Sequence, residues 1–263
     1  MSFHHVVILL MLFALPLQAA PFELTPEQVR RDLGSSISEI TVVEPHMQCG
    51  KSKCIVTYVG VPLRTLVEHY YPEEWRDFSG EIHFIARDGY LGIVAAGKAR
   101  EKDAYLTFAR ADGNPFVVDN NQQNERKVPL GPFYLVWDNI ADSNLQQMGS
   151  YGWPYQVDQI QLVPESFYSG LMPSDVPPDA QAGFVPFKTY CLGCHNINGV
   201  GGRKVGADIK LLVHGKTTGE LRRWISDPRS VRSGTAMPPL NENLDEKERG
   251  RVIDQIVKFL GVL

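Results

Sequence analysis

Lys188–Gly202 reads KTYCLGCHNINGVGG and places two cysteines and a histidine within five residues of a chain that has only four cysteines in 263. Three chemistries use cysteines so closely spaced. A redox dithiol of the thioredoxin kind needs a core strand before it and a helix after it, and VPFKTYCLGC supplies no such strand. A zinc site needs four ligands, and no second pair of Cys or His follows His195 at a suitable spacing. Cys-x-x-Cys-His uses every residue present: two thiols add to the vinyl groups of a haem, and the adjacent imidazole ligates its iron. The spacing predicts one helical turn, with Cys191 and Cys194 at one edge of the porphyrin and His195 under its centre. With this composition, chance yields on the order of 10⁻³ matches to the motif. The bland alternative is a disulfide between Cys191 and Cys194.

Outward from this stretch, the N-terminus sets the compartment. Residues 1–20 contain no Lys, Arg, Asp or Glu, and the apolar run VVILLMLFALPL (6–17) is short for a bilayer span and is followed by small residues. This predicts a signal peptide over 1–20, with an uncleaved anchor as the alternative. The remainder is then expected in a periplasmic or otherwise extracytoplasmic, oxidising space. No later segment is apolar for long enough to cross a membrane, so no transmembrane segment is expected after cleavage.

The net charge of −4 conceals an asymmetry. From Gln181 onward there are 13 Lys/Arg and 8 Asp/Glu, whereas the rest of the chain has 13 and 22. Opposite signs on the two parts can dock one against the other or steer a charged redox partner. The expected partners are redox proteins, with no nucleic acid.

Organisation follows from punctuation and period. The Pro-rich segment 165–180 shows neither hydrophobic period and reads as a linker between a domain over 21–164 and another over 181–263. Before it lie strand-like runs: CIVTYVG (54–60), EIHFIAR (81–87), AYLTFAR (104–110), PFYLVWD (132–138) and YQVDQIQLV (155–163). PLRTLVEHYY, from Pro62, reads as a helix. That part is expected to be α+β and mainly β. After the linker the signals are helical: GFVPFKTYCLGCH running to the glycine-rich NGVGG, TTGELRRWISDPR with Thr217 or Thr218 as cap, and a terminal helix with Asn243 as cap candidate. Its apolar stripe is Val252, Ile253, Ile256, Val257 and Leu260.

Two family resemblances can be set beside this reading. FKTYCLGCHNINGVGG, KVGADI and TAMPPL, followed by the terminal amphipathic helix, resemble a small class I cytochrome c domain over Gln181–Leu263. The resemblance implies an all-α cytochrome c fold around one covalent haem c, with His195 and Met237 as axial iron ligands. A soft thioether raises the iron potential, and Pro238 and Pro239 stiffen the loop presenting it. His214 is the competing sixth ligand. Ala207 departs from the family pattern, which commonly has proline after the glycine.

The second resemblance covers Thr41–Val163. MQCGKSKCIVTYVGVPLRTLVEHYYP, FIARDGYLGIV, GPFYLVW and YQVDQIQLV are similar, in order, to the molybdopterin-binding domain of sulfite oxidase-like enzymes. It implies that fold, a helix started by Gly60-x-Pro62-Leu63, and a turn at Asp88–Tyr90 joining two strands. In the family a cysteine upstream of that helix ligates molybdenum, and Cys49 or Cys54 stands there. A disulfide closing CGKSKC is the other reading. GPFYLVWD replaces the expected arginine-bearing segment, and Asp138 puts negative charge where phosphate is wanted, so no molybdopterin is expected. His83 reads as a surface or half-buried histidine, and His46 and His69 show no convincing partners.

The expectation is a single-haem electron carrier rather than a catalytic oxidoreductase. The alternative is a molybdenum-dependent enzyme passing electrons to its own haem.

Overall fold

The computed structural model describes residues 20–171 and 176–263, so the expected signal peptide lies almost wholly outside the described residues. Alternation decides the first elements. In β3 (Ile55–Pro62) Val56, Tyr58 and Gly60 turn inward, with partly exposed or exposed Ile55, Thr57 and Val59 between them. It pairs antiparallel with β2 (Ser38–Val43) and β6 (Ala104–Arg110), and β9 (Tyr134–Trp137) closes this sheet in the order β2-β3-β6-β9. A second antiparallel sheet runs β1 (Phe22–Glu23), β10 (Val157–Val163), β4 (Glu81–Ala86), β5 (Leu91–Ala95). A bridge between Phe133 and Val157 ties the two sheets, and β7 (Val117–Asn120) with β8 (Glu125–Pro129) forms a separate hairpin. Helix α1 (Pro26–Leu33), capped by Thr25, packs with α2 (Leu63–Tyr70) and α3 (Ala96–Glu101) around the first hydrophobic cluster, which has Tyr58, Leu66, Phe84, Leu106 and Tyr134 at its centre.

A second cluster is built by the later helices: α4 (Pro178–Gln181), α5 (Phe184–Tyr190), α6 (Ile209–Val213), α7 (Thr218–Ser226), α8 (Pro228–Val231) and α9 (Glu246–Leu260). Thr217 and Glu220 form a reciprocal capping box on α7. The apolar stripe of α9 is buried, and its cap is Asp245, whose side chain accepts from the Glu248 N–H; Asn243 does not cap it. Gly183 lets α5 approach α9, since a Cβ there would collide with the Gln255 carbonyl. The stretch expected to be a linker contributes buried Tyr168, Leu171, Val176 and Ala180.

The expected fold class, a sulfite oxidase-like α+β domain followed by a separate all-α cytochrome c domain, is overturned. Among the described residues the chain forms four sheets and nine mostly short helices. The region after 181 is not all-α: β11 (Asn196–Ile197) and β12 (Val200–Gly201) form a tight hairpin. Asn198 and Gly199 both have positive φ, 52° and 78°, the geometry of a two-residue Asn-Gly turn. Nor is the region separate. Strand β4 is buried along nearly its whole length because both faces are covered. Ile82 and Phe84 enter the first cluster, while Glu81 and His83 meet Lys188 and Tyr168 of the later region. Backbone bonds cross the same boundary, from Leu91 N–H to the Gly193 carbonyl (2.8 Å) and from Arg203 N–H to the Gly89 carbonyl (2.6 Å). The later region therefore completes its hydrogen bonding on the first.

Candidate functional site

Helix α5 stops at Tyr190, and the two cysteines sit on the turn that follows. The Cys191 N–H still donates to the Phe187 carbonyl (2.8 Å). The Cys191 carbonyl then accepts from both Cys194 N–H (3.1 Å) and His195 N–H (3.0 Å). This single turn carries both cysteines and His195, although the helix ends before the motif rather than running through it. Gly202 passes directly behind Gly193, where a Cβ would strike the Gly193 carbonyl, and the Gly202 N–H donates to the Leu192 carbonyl (2.8 Å).

Cys191 and Cys194 are free thiols. Each keeps part of its surface accessible, yet protein crowds them enough to make ionisation costly. Burial, with the neighbouring Cys194, pushes the Cys191 thiol up to about 12. Burial pushes Cys194 up to about 11, opposed by Lys204 and reinforced by Asp88 and Glu125. Burial also pulls His195 down to about 4, so its imidazole is neutral at physiological pH. Its Nδ1 is buried without a hydrogen-bond partner. A buried ring nitrogen is normally satisfied, and a metal-ligating histidine normally donates its second nitrogen to a carbonyl or carboxylate. That supporting acceptor is missing, in a chain with Ala207 where the resembling family has proline.

The front half covers the turn. Tyr90, at the β4–β5 turn, lies against Gly193, and its hydroxyl is pushed well up by burial and by the nearby Cys194 and Tyr151. Tyr151 packs edge-on against Tyr190, ring centroids 4.8 Å apart. Lys204 is held by Asp88 (2.8 Å) and Glu125 (3.6 Å). The turn at Asp88–Tyr90 does join two strands, with Gly89 at φ 86°.

Met237 is half-buried on the loop after α8, its N–H donating to Thr235 Oγ1 (3.2 Å). Pro238 and Pro239 follow, and the Pro239 carbonyl accepts from the Tyr151 hydroxyl (3.4 Å). Tyr151 thus stands between the cysteine turn and the methionine loop. The competing His214 is exposed at the end of α6. Large apolar side chains in the segment after the turn remain uncovered, Leu211 at 74% exposure with Val205 and Val231.

Cys49 and Cys54 are joined by a disulfide with Cα atoms 5.3 Å apart. Neither sulfur is a free thiolate, which removes the cysteine on which the molybdenum alternative depended. His83 is buried, its Nε2 2.7 Å from the Tyr168 hydroxyl, because the later region covers that face of β4. His46, without evident partners in the sequence, is also buried: its Nδ1 meets Glu44 Oε1 (2.8 Å) and the Tyr134 hydroxyl (3.1 Å). This cluster is not legible in the sequence although Glu44 is only two positions from His46, because its burial depends on Tyr134, 88 positions away; Tyr90 and Tyr151 likewise meet partners far along the chain. Among the described residues, no three or more of His, Cys, Asp and Glu converge as a protein-only metal site. No helix among them is long and apolar enough to cross a membrane.

No protein-family model matches the chain, and no curated protein matches it either.

Proposed function

We propose that the chain is an electron-transfer protein of an extracytoplasmic space, carrying one haem c on thioether bonds from Cys191 and Cys194, with His195 and Met237 as axial ligands. The observation that carries this reading is the single turn over 191–195 that holds two free thiols and a neutral imidazole. The residues fit the group. A neutral imidazole is the form that donates a lone pair to iron, and Val205, Leu211 and Val231 are large apolar side chains of the same region that stay exposed.

Haem iron with both axial positions filled supplies reversible one-electron oxidation and reduction. The roles of the chain's own residues follow from this reading. Cys191 and Cys194 would anchor and orient the group, Met237 would fill the position a substrate would otherwise take, and Tyr90 and Tyr151, packed at the turn, would keep water from the cysteine side. Partner redox proteins would deliver and remove the electron. The test is extraction of the purified protein with acidified acetone after denaturation: haem is expected to stay with the polypeptide. Haem that leaves quantitatively, or a Cys191→Ala, Cys194→Ala double variant that keeps it, overturns the reading.

A further inference from the structure

The loop carrying Met237 is held from both halves of the chain, with the Met237 N–H tied to Thr235 Oγ1 at its near end. Pro238 and Pro239 have no N–H, so the stretch from Met237 to Leu240 is fixed through its carbonyls and its two ends. The Tyr151 hydroxyl donates to the Pro239 carbonyl, and the Asn241 backbone N–H faces that hydroxyl oxygen. Asn241 is buried, and its Nδ2 donates to the Gln147 carbonyl (2.9 Å), while Asn243 Nδ2 donates to the Gln146 carbonyl (3.2 Å). Within its own half the loop is tied at Leu240, whose N–H donates to the Ile225 carbonyl (2.9 Å) and whose carbonyl accepts from Arg249 (2.8 Å). Residues 146–151 thus form a cradle beneath the methionine loop, and the same Tyr151 packs on Tyr190 just before the cysteines.

A thioether is a neutral, soft donor, and a ligand of that kind stays in place only if its loop is held by surrounding contacts. We propose that Tyr151 and Asn241 are positioning residues for the sixth ligand, by which the front half of the chain clamps Met237 in place. The inference rests on the haem reading above and adds a role for the front half: it sets the occupancy of the sixth position rather than binding a cofactor of its own.

The experiment uses the full-length haem-loaded protein. Two signals are read: the long-wavelength iron–thioether charge-transfer band of the ferric form, and the affinity for added imidazole, which competes with Met237. Tyr151→Phe keeps the ring packing and loses the hydroxyl's bond to the Pro239 carbonyl together with its contact from the Asn241 N–H. It is expected to retain covalent haem, weaken the band, and bind imidazole about five- to tenfold more tightly, the net effect expected of that hydroxyl's hydrogen bonding. Asn241→Ala is expected to act in the same direction. Lys188→Met, which breaks the contact with Glu81 elsewhere on the boundary, is expected to leave imidazole affinity as in the unaltered protein. The proposal is overturned if Tyr151→Phe and Asn241→Ala both match the unaltered protein, or if Lys188→Met has as large an effect as Tyr151→Phe. Absence of the band from the unaltered protein overturns the His195–Met237 reading itself, and this inference with it, so the two failures are told apart.

Discussion

Glu44 and Cys194 belong to two polar clusters set into the same molecule, and they ended differently. The Glu44 carboxylate accepts from the His46 N–H (3.0 Å), the Tyr58 hydroxyl (2.6 Å) and the Tyr134 hydroxyl (3.0 Å), and it contacts His46 Nδ1. Burial pushes its carboxyl up, but the bonds and charge of His46 and the bond from Tyr58 outweigh this and hold it below the ordinary value. A buried network whose members are all partnered rigidifies a core. At the cysteine turn, two thiols are free and His195 Nδ1 is unmatched. The same chain that satisfies the buried Glu44 carboxylate leaves the buried His195 Nδ1 without a partner.

The comparison can be broken at several points. The largest effect is expected at Glu44→Ala, which strands His46, Tyr58 and Tyr134 without their common acceptor. Removing one partner of such a cluster should cost about 3–5 kcal/mol in urea unfolding of the full chain. A loss within error would mean that the cluster contributes nothing to stability.

An intermediate effect is expected at Glu81, on the boundary between the two regions. Burial raises its pKa, but His83, Lys188 and Tyr168 together hold it down to about 2 from an ordinary 4.5. For a carboxyl depressed in the folded state, the stabilisation is complete above the unfolded pKa and is lost as pH falls through the folded one. Unfolding of the unaltered protein should therefore become easier as pH drops from about 4.5 toward 2, and Glu81→Gln should lack that part of the decline. Parallel profiles for the two proteins would show that the boundary charge does not stabilise the docked arrangement.

The smallest effect is expected at Cys194→Ala in protein produced without haem. A thiol that is neither bonded nor ionised has little to lose, and the change should cost no more than about 1 kcal/mol. A cost comparable to that of Glu44→Ala would erase the contrast, because it would mean that the thiol already has a protein partner.

How far the sequence was legible depended on the separation of the partners. The strand-like runs at 81–87 and 104–110 form β4 and β6, and the apolar stripe of the last helix is buried, because period and burial are read within a few residues. Caps were legible only to within a choice. Thr217 rather than Thr218 caps α7, and Asp245 rather than Asn243 caps α9, where the Asn243 side chain is drawn instead to the Gln146 carbonyl. The Asn198-Gly199 pair forms the turn of a hairpin, where the glycine-rich NGVGG is expected from its composition only to end a helix. His83 looks superficial in the sequence because Tyr168 lies 85 positions away, whereas His46 has Glu44 only two positions away and is buried through Tyr134, 88 positions away.

The sequence by itself determined which atoms are available for chemistry: two thiols and an imidazole at a spacing one turn can gather, a methionine stiffened by prolines, and a second cysteine pair only five positions apart. Those are covalent and short-range facts, independent of the rest of the chain. Only the tertiary structure decided that β4 is covered on both faces, that Tyr90 and Tyr151 close over the cysteine turn, and that Glu44 is satisfied while His195 is not. Burial and hydrogen-bond satisfaction depend on which distant residues arrive at the same place, and here contacts between residues 81–151 and 188–243 made that choice.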